Sequence, residues 1–482
     1  MQKYDVLILG GGIIGGMTAR LLSRYQLRVL VVDKASDLGE GATKANSGVL
    51  YAGFHPRGGS LKGISCAKGN AMYDTICNEL GIEIKRVGSL LVAFHPEGQE
   101  KIREKYKKGL KNGVPGMEII SGDEARRMEP MLSERVIEAL YAPTTGIISP
   151  FQLVWGVSMA AAVNGVEFQM NTEVTGLTPI DTGFVAHTNQ GDIQTDYVVN
   201  AAGGYADVIE GWLHPQDLEI KPRRGEYYIF DKQQGDGLRH VLYQVQETDE
   251  GGTLIAPTVD GNILAGPTSQ DVASFDEKST TQQGLAHVER VAKKVLPDFD
   301  MGQAIANFAG IRANIVNIEK PRKDFVVRSN WPHLVSALGI KNPGMTAAPY
   351  LAEVIVDQLR EQGLQTVEKA DYQPEVRLPK PFLQETAQRQ EELFQADKRN
   401  AKIICRCEGI TEGDVLRVMR GPLPPHSLSG LKMRLRVGMG RCQGGFCTTR
   451  LLELMAREWG CEPWEICKYE KNSNFVKGQV KK

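Results

Sequence analysis

Charge of one sign is what this chain most clearly lacks. Lys and Arg total 57 against 58 Asp and Glu, a net charge of −1. No electrostatic case arises for nucleic acid or an anionic membrane as partner. Long apolar runs are missing too: the longest mostly apolar stretch, 153–163, is well short of the roughly 20 residues a membrane-spanning helix needs. Met1-Gln2-Lys3-Tyr4-Asp5 runs straight into apolar residues, so a secretory leader is not expected and a cytoplasmic location is. Neither an internal repeat nor a low-complexity tract interrupts the 482 residues, and that length exceeds one hydrophobic core. Cysteine is scarce and unevenly placed, with four of the eight at 405, 407, 442 and 447. Without a leader, that clustering suggests a metal site rather than a disulfide framework.

Glycine is in excess: 52 residues, well above the usual ~7%. Several sit where backbone must approach a ligand. Val6-Leu7-Ile8-Leu9 reads as a strand, Gly10-Gly11-Gly12-Ile13-Ile14-Gly15 as a G-x-G-x-x-G loop, and the apolar-periodic residues through Leu22 as a helix. Arg28-Val29-Leu30-Val31-Val32 is a second strand, ending in Asp33, 18 residues after Gly15. Small residues at Gly10, Gly12 and Gly15 let a pyrophosphate reach the helix N-terminus, and an acid at Asp33 suits a ribose. A glycine turn with a chance acid is the alternative, but strand, loop, helix, strand and acid occur here in order.

Two further segments favour flavin over nicotinamide. Gly41-Ala42-Thr43-Lys44-Ala45-Asn46-Ser47-Gly48 begins a small, polar loop that suits a ribityl chain. Gly339-Ile340-Lys341-Asn342-Pro343-Gly344-Met345-Thr346 precedes another helix, whose first N–H groups could face the flavin pyrimidine. Between Gly41 and Gly53 there is no His or Cys, which favours non-covalent FAD.

Elsewhere a strand is expected at Gly88–Phe94, a charged helix from Glu97 to Lys111, a helix at 150–164, and strands at 166–170 and 197–200. Residues 216 to about 330 lack clear helix periodicity and suggest an antiparallel sheet. A helix follows at 345–359, then a stretch from Pro374 to Phe382 with three prolines that reads as a linker.

Cys405-Arg406-Cys407 and Cys442-Gln443-Gly444-Gly445-Phe446-Cys447 supply four thiolates from two loops, with glycines whose N–H groups can point at sulfur. Thr411 and Asp414 have capping-box-like spacing for a helix just after the first pair. A four-cysteine zinc site uses the same ligands, although C-x-C departs from the usual zinc spacing. Cys66, Cys77, Cys461 and Cys467 are expected to be helix-packing residues.

With Pro143, Gly146-Ile147-Ile148-Ser149-Pro150, Val199-Asn200-Ala201-Ala202-Gly203 and Phe308-Ala309-Gly310-Ile311-Arg312, these segments resemble the D-amino-acid oxidase-like superfamily of FAD oxidoreductases over about residues 3–365. Within it the chain is most similar to anaerobic glycerol-3-phosphate dehydrogenase catalytic subunits and L-2-hydroxyglutarate dehydrogenases. The cysteine segment is similar to the bacterioferritin-associated-ferredoxin-like [2Fe-2S] domain. The expected fold is α/β: a split Rossmann-like FAD domain (1–82, 146–215 and 331–365) and an antiparallel β-sheet substrate domain (83–145 and 216–330). A linker (366–399) leads to a small helical C-terminal iron–sulfur domain (400–470). The resemblance adds Lys34, Val174, Ala202 and Gly203 to Gly10, Gly12, Gly15, Asp33, Thr43, Asn46, Ser47, Gly339, Gly344, Met345 and Thr346 as cofactor-binding positions.

A flavin dehydrogenase of an alcohol needs a proton acceptor and a cation for an anionic tail. Arg312 is the first candidate for the tail, as the matching arginine often is in the family; a salt bridge elsewhere in the sheet is the alternative. Arg223 and Arg224 form a second basic pair, or a solvated strand face. Where the related groups usually carry a histidine this chain has Tyr51, better suited to donating a hydrogen bond. His55 lies four residues on and is either the base or a solvated loop residue; Lys62 is a nearby cation or a surface charge.

The expected activity is an FAD-dependent dehydrogenase of a small anionic metabolite, first glycerol 3-phosphate. Second comes L-2-hydroxyglutarate or another 2-hydroxy acid, and then an amino acid. Electrons would pass through [2Fe-2S] to a flavin or iron–sulfur partner subunit, through which peripheral membrane association is conceivable. A non-catalytic metal-binding or assembly protein is the reading from another class.

Overall fold

The computed structural model describes residues 2–235, 237–245, 252–317 and 324–478. Its layout follows from the first strand, Lys3–Leu9, whose Val6 to Leu9 are all buried. A run buried on both faces belongs in the middle of a parallel sheet. Lys3–Leu9 indeed lies between the parallel strands Val29–Val32 and Ile193–Asn200. Glu167–Gln169 extends the sheet beyond Val29–Val32. On the other side Ile193–Asn200 divides its partners: its start pairs antiparallel with Gly183–Thr188, its end parallel with Leu334–Leu338. The helices Ile13–Leu22, Leu61–Leu80, Pro150–Val163 and Gly344–Glu361 pack on this sheet through one continuous apolar core.

A second, nine-stranded sheet is built around the long antiparallel pair Leu218–Phe230 and Ala304–Asn317. It is antiparallel except where Val241–Gln244 runs parallel to Ser89–Ala93. The stretch expected to be all sheet also holds a helix, Gln282–Val295, which corrects the sequence reading. Its buried Val288, Val291, Ala292 and Val295 form a helical stripe, but the polar residues between them mask the period.

The proline-containing segment is held against the body. Leu378 N–H donates to Leu80 O, and Leu378 and Phe382 are both buried. Beyond it, Ala387–Ala396 is helical. The C-terminal unit combines the two-stranded hairpin Ile403–Cys405/Ile410–Thr411 with helices Glu412–Met419, Leu428–Leu435 and Thr448–Trp459. Thr411 and Asp414 complete the expected capping box.

Candidate active site

Four parallel strands of the first sheet end in residues singled out from the sequence. Leu9 leads into Gly10, Val32 into Asp33, Asn200 into Ala201 and Ala202, and Leu338 into Gly339. In open α/β sheets the carboxyl ends of the strands form the ligand crevice. Gly11 N–H donates to Asp33 Oδ2 (2.7 Å) and Ala35 N–H to Asp33 Oδ1 (2.8 Å). Burial raises the Asp33 carboxyl, and these two N–H groups oppose the rise. Thr43 reaches the same loop, its Oγ1 accepting from Ile13 N–H at 3.0 Å. A Cβ on Gly15 would lie 1.9 Å from Gly10 O, so this turn admits no side chain there. Thr172 N–H donates to Asp33 O, which brings the segment leading to Val174 beside it. Val174 and Ala202 pack on one apolar cluster, and Lys34 Nζ sits 3.6 Å over the Tyr205 ring, two residues beyond Gly203.

Whether FAD fits can be read from the helix starts. Ser60, Ser149, Thr281 and Ser427 cap other helices with a hydroxyl. The helices opening at Ile13 and Gly344, like those at Pro96 and Thr448, carry no side-chain cap of their own. Past Ile13 N–H, taken by Thr43, and Gly344 N–H, taken by Lys341 O, their next N–H groups suit ligand oxygens. Around the second of these, Asn46 Nδ2 donates to Thr43 O, Gly48 N–H to Asn46 Oδ1, and Tyr51 N–H to Thr346 Oγ1. Tyr73 donates its hydroxyl to Met345 O. Two loops almost 300 residues apart in sequence thus become one wall, and Ser47 is buried within it.

The second sheet closes over this wall. A Cβ on Gly310 would lie 2.1 Å from Ala45 O; only a glycine lets the strand carrying Arg312 come so near. Arg312 is half-buried, with Nη2 donating to Thr268 O (2.8 Å) and Nη1 to Ser269 Oγ (3.5 Å). Both partners are neutral, so no carboxylate among the described residues offsets its charge. Burial first, and then the charge of Lys341 and of Arg312, pushes Lys62 down to about 8, against the opposing carboxylate of Asp324. Lys341 donates to Asn314, two residues from Arg312 on the same strand face. Three cations therefore stand near one another, and one of them, Arg312, acts on Tyr51. Burial raises the Tyr51 hydroxyl, which accepts from Asn342 Nδ2 at 2.6 Å and stays a neutral donor.

His55 is not the solvated loop residue that the sequence left possible. Its ring lies 4.2 Å from Phe54, 4.8 Å from Tyr243 and 6.0 Å from Tyr51, centroid to centroid. Its Nε2 is buried without a partner. Burial, and then Lys105 and Lys62, hold its pKa well below the ordinary 6.5, so the imidazole is neutral at pH 7. Tyr243, whose hydroxyl is also buried without a partner, was missed by sequence reasoning; a lone strand tyrosine gives no local signal. Arg224 is buried beside Glu226 and Arg223 pairs with Asp271, so that basic pair is spent within the sheet.

In the C-terminal unit the Cys407 thiol donates to Cys442 Sγ at 3.6 Å. A thiol hydrogen bond from Cys447 pulls Cys405 down to about 6, while Cys447 is held up by the same bond. The sulfurs come as two pairs, Cys405–Cys447 buried and Cys407–Cys442 nearer solvent. Among the described residues no three His, Cys, Asp or Glu side chains converge on a single ion position. Two thiolate pairs fit a two-iron group better than one tetrahedral zinc. Cys66 and Cys77 are buried on Leu61–Leu80, as expected. Cys461 packs, as expected, against the core that holds the last helix, although it lies just past Gly460, which ends that helix in the left-handed region; Cys467, farther on and half-exposed, is not a helix-packing residue.

Comparison with known proteins points to the same two cofactors. Residues 5–358 match the family described as FAD dependent oxidoreductase, and residues 403–457 the BFD-like [2Fe-2S] binding domain. The chain is 38% identical over 480 residues to glycerol 3-phosphate dehydrogenase of Caloramator mitchellensis, covering 99% of each. It is 28% identical to the mitochondrial L-2-hydroxyglutarate dehydrogenase of Arabidopsis thaliana, over 74% of this chain and 83% of that one. Among solved structures, dithionite-reduced L-alpha-glycerophosphate oxidase from Mycoplasma pneumoniae with FAD bound superposes with a TM-score of 0.74 at 29% identity. It covers 79% of this chain and 100% of that one.

Proposed function

The chain belongs to the FAD dependent oxidoreductase family, and from that premise we propose that it oxidises glycerol 3-phosphate to dihydroxyacetone phosphate. FAD, when bound, would supply the hydride acceptor, and a [2Fe-2S] centre in the C-terminal domain would supply a one-electron way out. Gly10, Gly12, Gly15 and Asp33 would hold the dinucleotide end, and the Thr43–Ser47 and Gly339–Thr346 loops the ring end. Cys405, Cys407, Cys442 and Cys447 would hold the cluster.

The observation that carries the substrate is that Arg312, Lys62 and Lys341 stand near one another, with Arg312 close enough to act on the Tyr51 hydroxyl. A phosphate dianion matches such a group of cations at one end of a small molecule. His55 Nε2, neutral and unpartnered, takes the hydroxyl proton as the C–H hydride leaves. The Tyr51 and Tyr243 hydroxyls orient the substrate oxygen, and the aromatic surroundings exclude water. Lys105 Nζ lies 3.4 Å from His55 O. That further cation favours, as a second reading, L-2-hydroxyglutarate with a charge at each end.

The electron acceptor we propose is a flavin or iron–sulfur protein subunit, met in the cytoplasm. Among the described residues no helix is long and apolar enough to cross a membrane. An anaerobic visible spectrum before and after glycerol 3-phosphate, then L-2-hydroxyglutarate, tests the reading. Flavin and iron–sulfur bands bleached by the first support it, and bleaching only by the second moves the substrate to a 2-hydroxy acid. Bleaching by neither leaves an amino acid substrate or a metal-binding or assembly protein.

A further inference from the structure

The cluster unit has two unlike sides. Cys405 and Cys447 are each 1% exposed, whereas Cys407 is exposed and Cys442 half-exposed. The inner side is tied to the rest of the chain by ion pairs with its loops: Arg434 with Asp37, Arg436 with Asp260 and Arg441 with Asp231. The outer side is left open. On it stands Phe446, 81% exposed, the most exposed large apolar side chain among the described residues. It directly precedes the ligand Cys447. Arg406, between the first two cysteines, and Arg450, in the first turn after Cys447, are exposed as well. Neither makes an ion pair among the described residues. The nearest carboxylates are committed elsewhere: Glu408 to Arg436 and Lys232, Asp231 to Arg441. Glu453, a turn beyond Arg450, offsets only part of this positive charge.

An apolar aromatic centre with arginines at its rim is the composition of a protein-binding hot spot, not of an ordinary solvated surface. We propose that this face, centred on Phe446 and flanked by Arg406 and Arg450, docks an acidic one-electron carrier protein and is where electrons leave the molecule. The proposal rests on the dehydrogenase reading for its electrons, though not for its binding. Each substrate carbinol oxidised releases two electrons and two protons. The electrons depart one at a time, so two carrier molecules are each reduced by one electron per turnover. The basic rim sets the partner's charge and brings it in by electrostatic steering, which salt weakens.

The test uses the whole protein with its cofactors, an acidic plant-type ferredoxin as carrier and the basic cytochrome c as control. Binding is measured by calorimetry at low and high ionic strength, and electron transfer from the substrate-reduced enzyme by stopped flow. We expect the ferredoxin to bind more tightly than cytochrome c, and more weakly as salt rises. Phe446→Ser and the double variant Arg406→Glu/Arg450→Glu should each weaken ferredoxin binding by about tenfold or more. Flavin bleaching by substrate and reduction of a small neutral dye should remain as in the parent. Unchanged ferredoxin affinity in both variants, or tighter binding of cytochrome c, overturns the docking face. Absence of flavin bleaching in the parent chain overturns the dehydrogenase reading, while calorimetry still decides the face.

Discussion

Arg434 and Asp37 form a buried two-pronged ion pair, Nη1 to Oδ2 and Nη2 to Oδ1 at 2.8 Å each, with side chains 4% and 1% exposed. Asp37 lies four residues past Asp33, in the loop that wraps the dinucleotide turn, and Arg434 lies on the helix Leu428–Leu435 of the cluster unit. The pair therefore fastens the electron-carrying unit to the cofactor loop itself. Asp37→Ala should strand a buried guanidinium and destabilise by about 3–5 kcal/mol, while Asp37→Leu with Arg434→Met should recover most of the loss. Thermal unfolding measures the cost. Limited proteolysis in 366–399 reports whether the C-terminal unit has come loose; equal stability of the single and double variants would count against the pair as the fastening.

For His55, replacement by Ala should slow flavin reduction in single turnover by about 10²–10⁴-fold with FAD content unchanged. Because burial holds its pKa well below 6.5, the parent should keep full activity at neutral pH. Its rate should fall only as pH drops through that lowered value, where the base becomes protonated. Tyr51→Phe should leave this acid limb in place, since the Tyr51 hydroxyl is protonated throughout. Rates followed from pH 4 to 8 in roughly half-unit steps would show it, and an unchanged rate in His55→Ala would remove the histidine from the chemistry.

Lys62 predicts a second, alkaline limb. With its pKa at about 8, the free protein loses one of three cations as pH rises through that value. KM for an anionic substrate should rise accordingly, with kcat changing less. Lys62→Arg, whose charge does not titrate in this range, should abolish the rise. Steady-state kinetics with glycerol 3-phosphate across this range is the measurement. A limb that persists unchanged in Lys62→Arg would assign the titration elsewhere.

Much of the cofactor crevice is legible locally. Strand, glycine loop, helix and acid follow each other within some 30 residues, and chain direction alone carries Gly10 and Asp33 to neighbouring strand ends. The four cysteines are legible because their ligand chemistry is written in side-chain type. The helix Gln282–Val295 was not, since its few apolar residues are diluted by Gln, Glu, Arg and Lys and its burial is decided by the sheet beneath.

The sequence by itself determined the dinucleotide turn, the flavin-type loops and the four thiols, because each rests on backbone space or ligand type within a short segment. Tertiary structure alone decided that His55 is neutral and shielded, and that Lys62 is a weakened cation. It also brought Tyr243 against the His55 ring and faced Cys407 and Phe446 outward. These properties depend on desolvation and on charges that only folding brings near, as Lys105 and Lys62 are brought to His55 and Lys341 and Arg312 to Lys62.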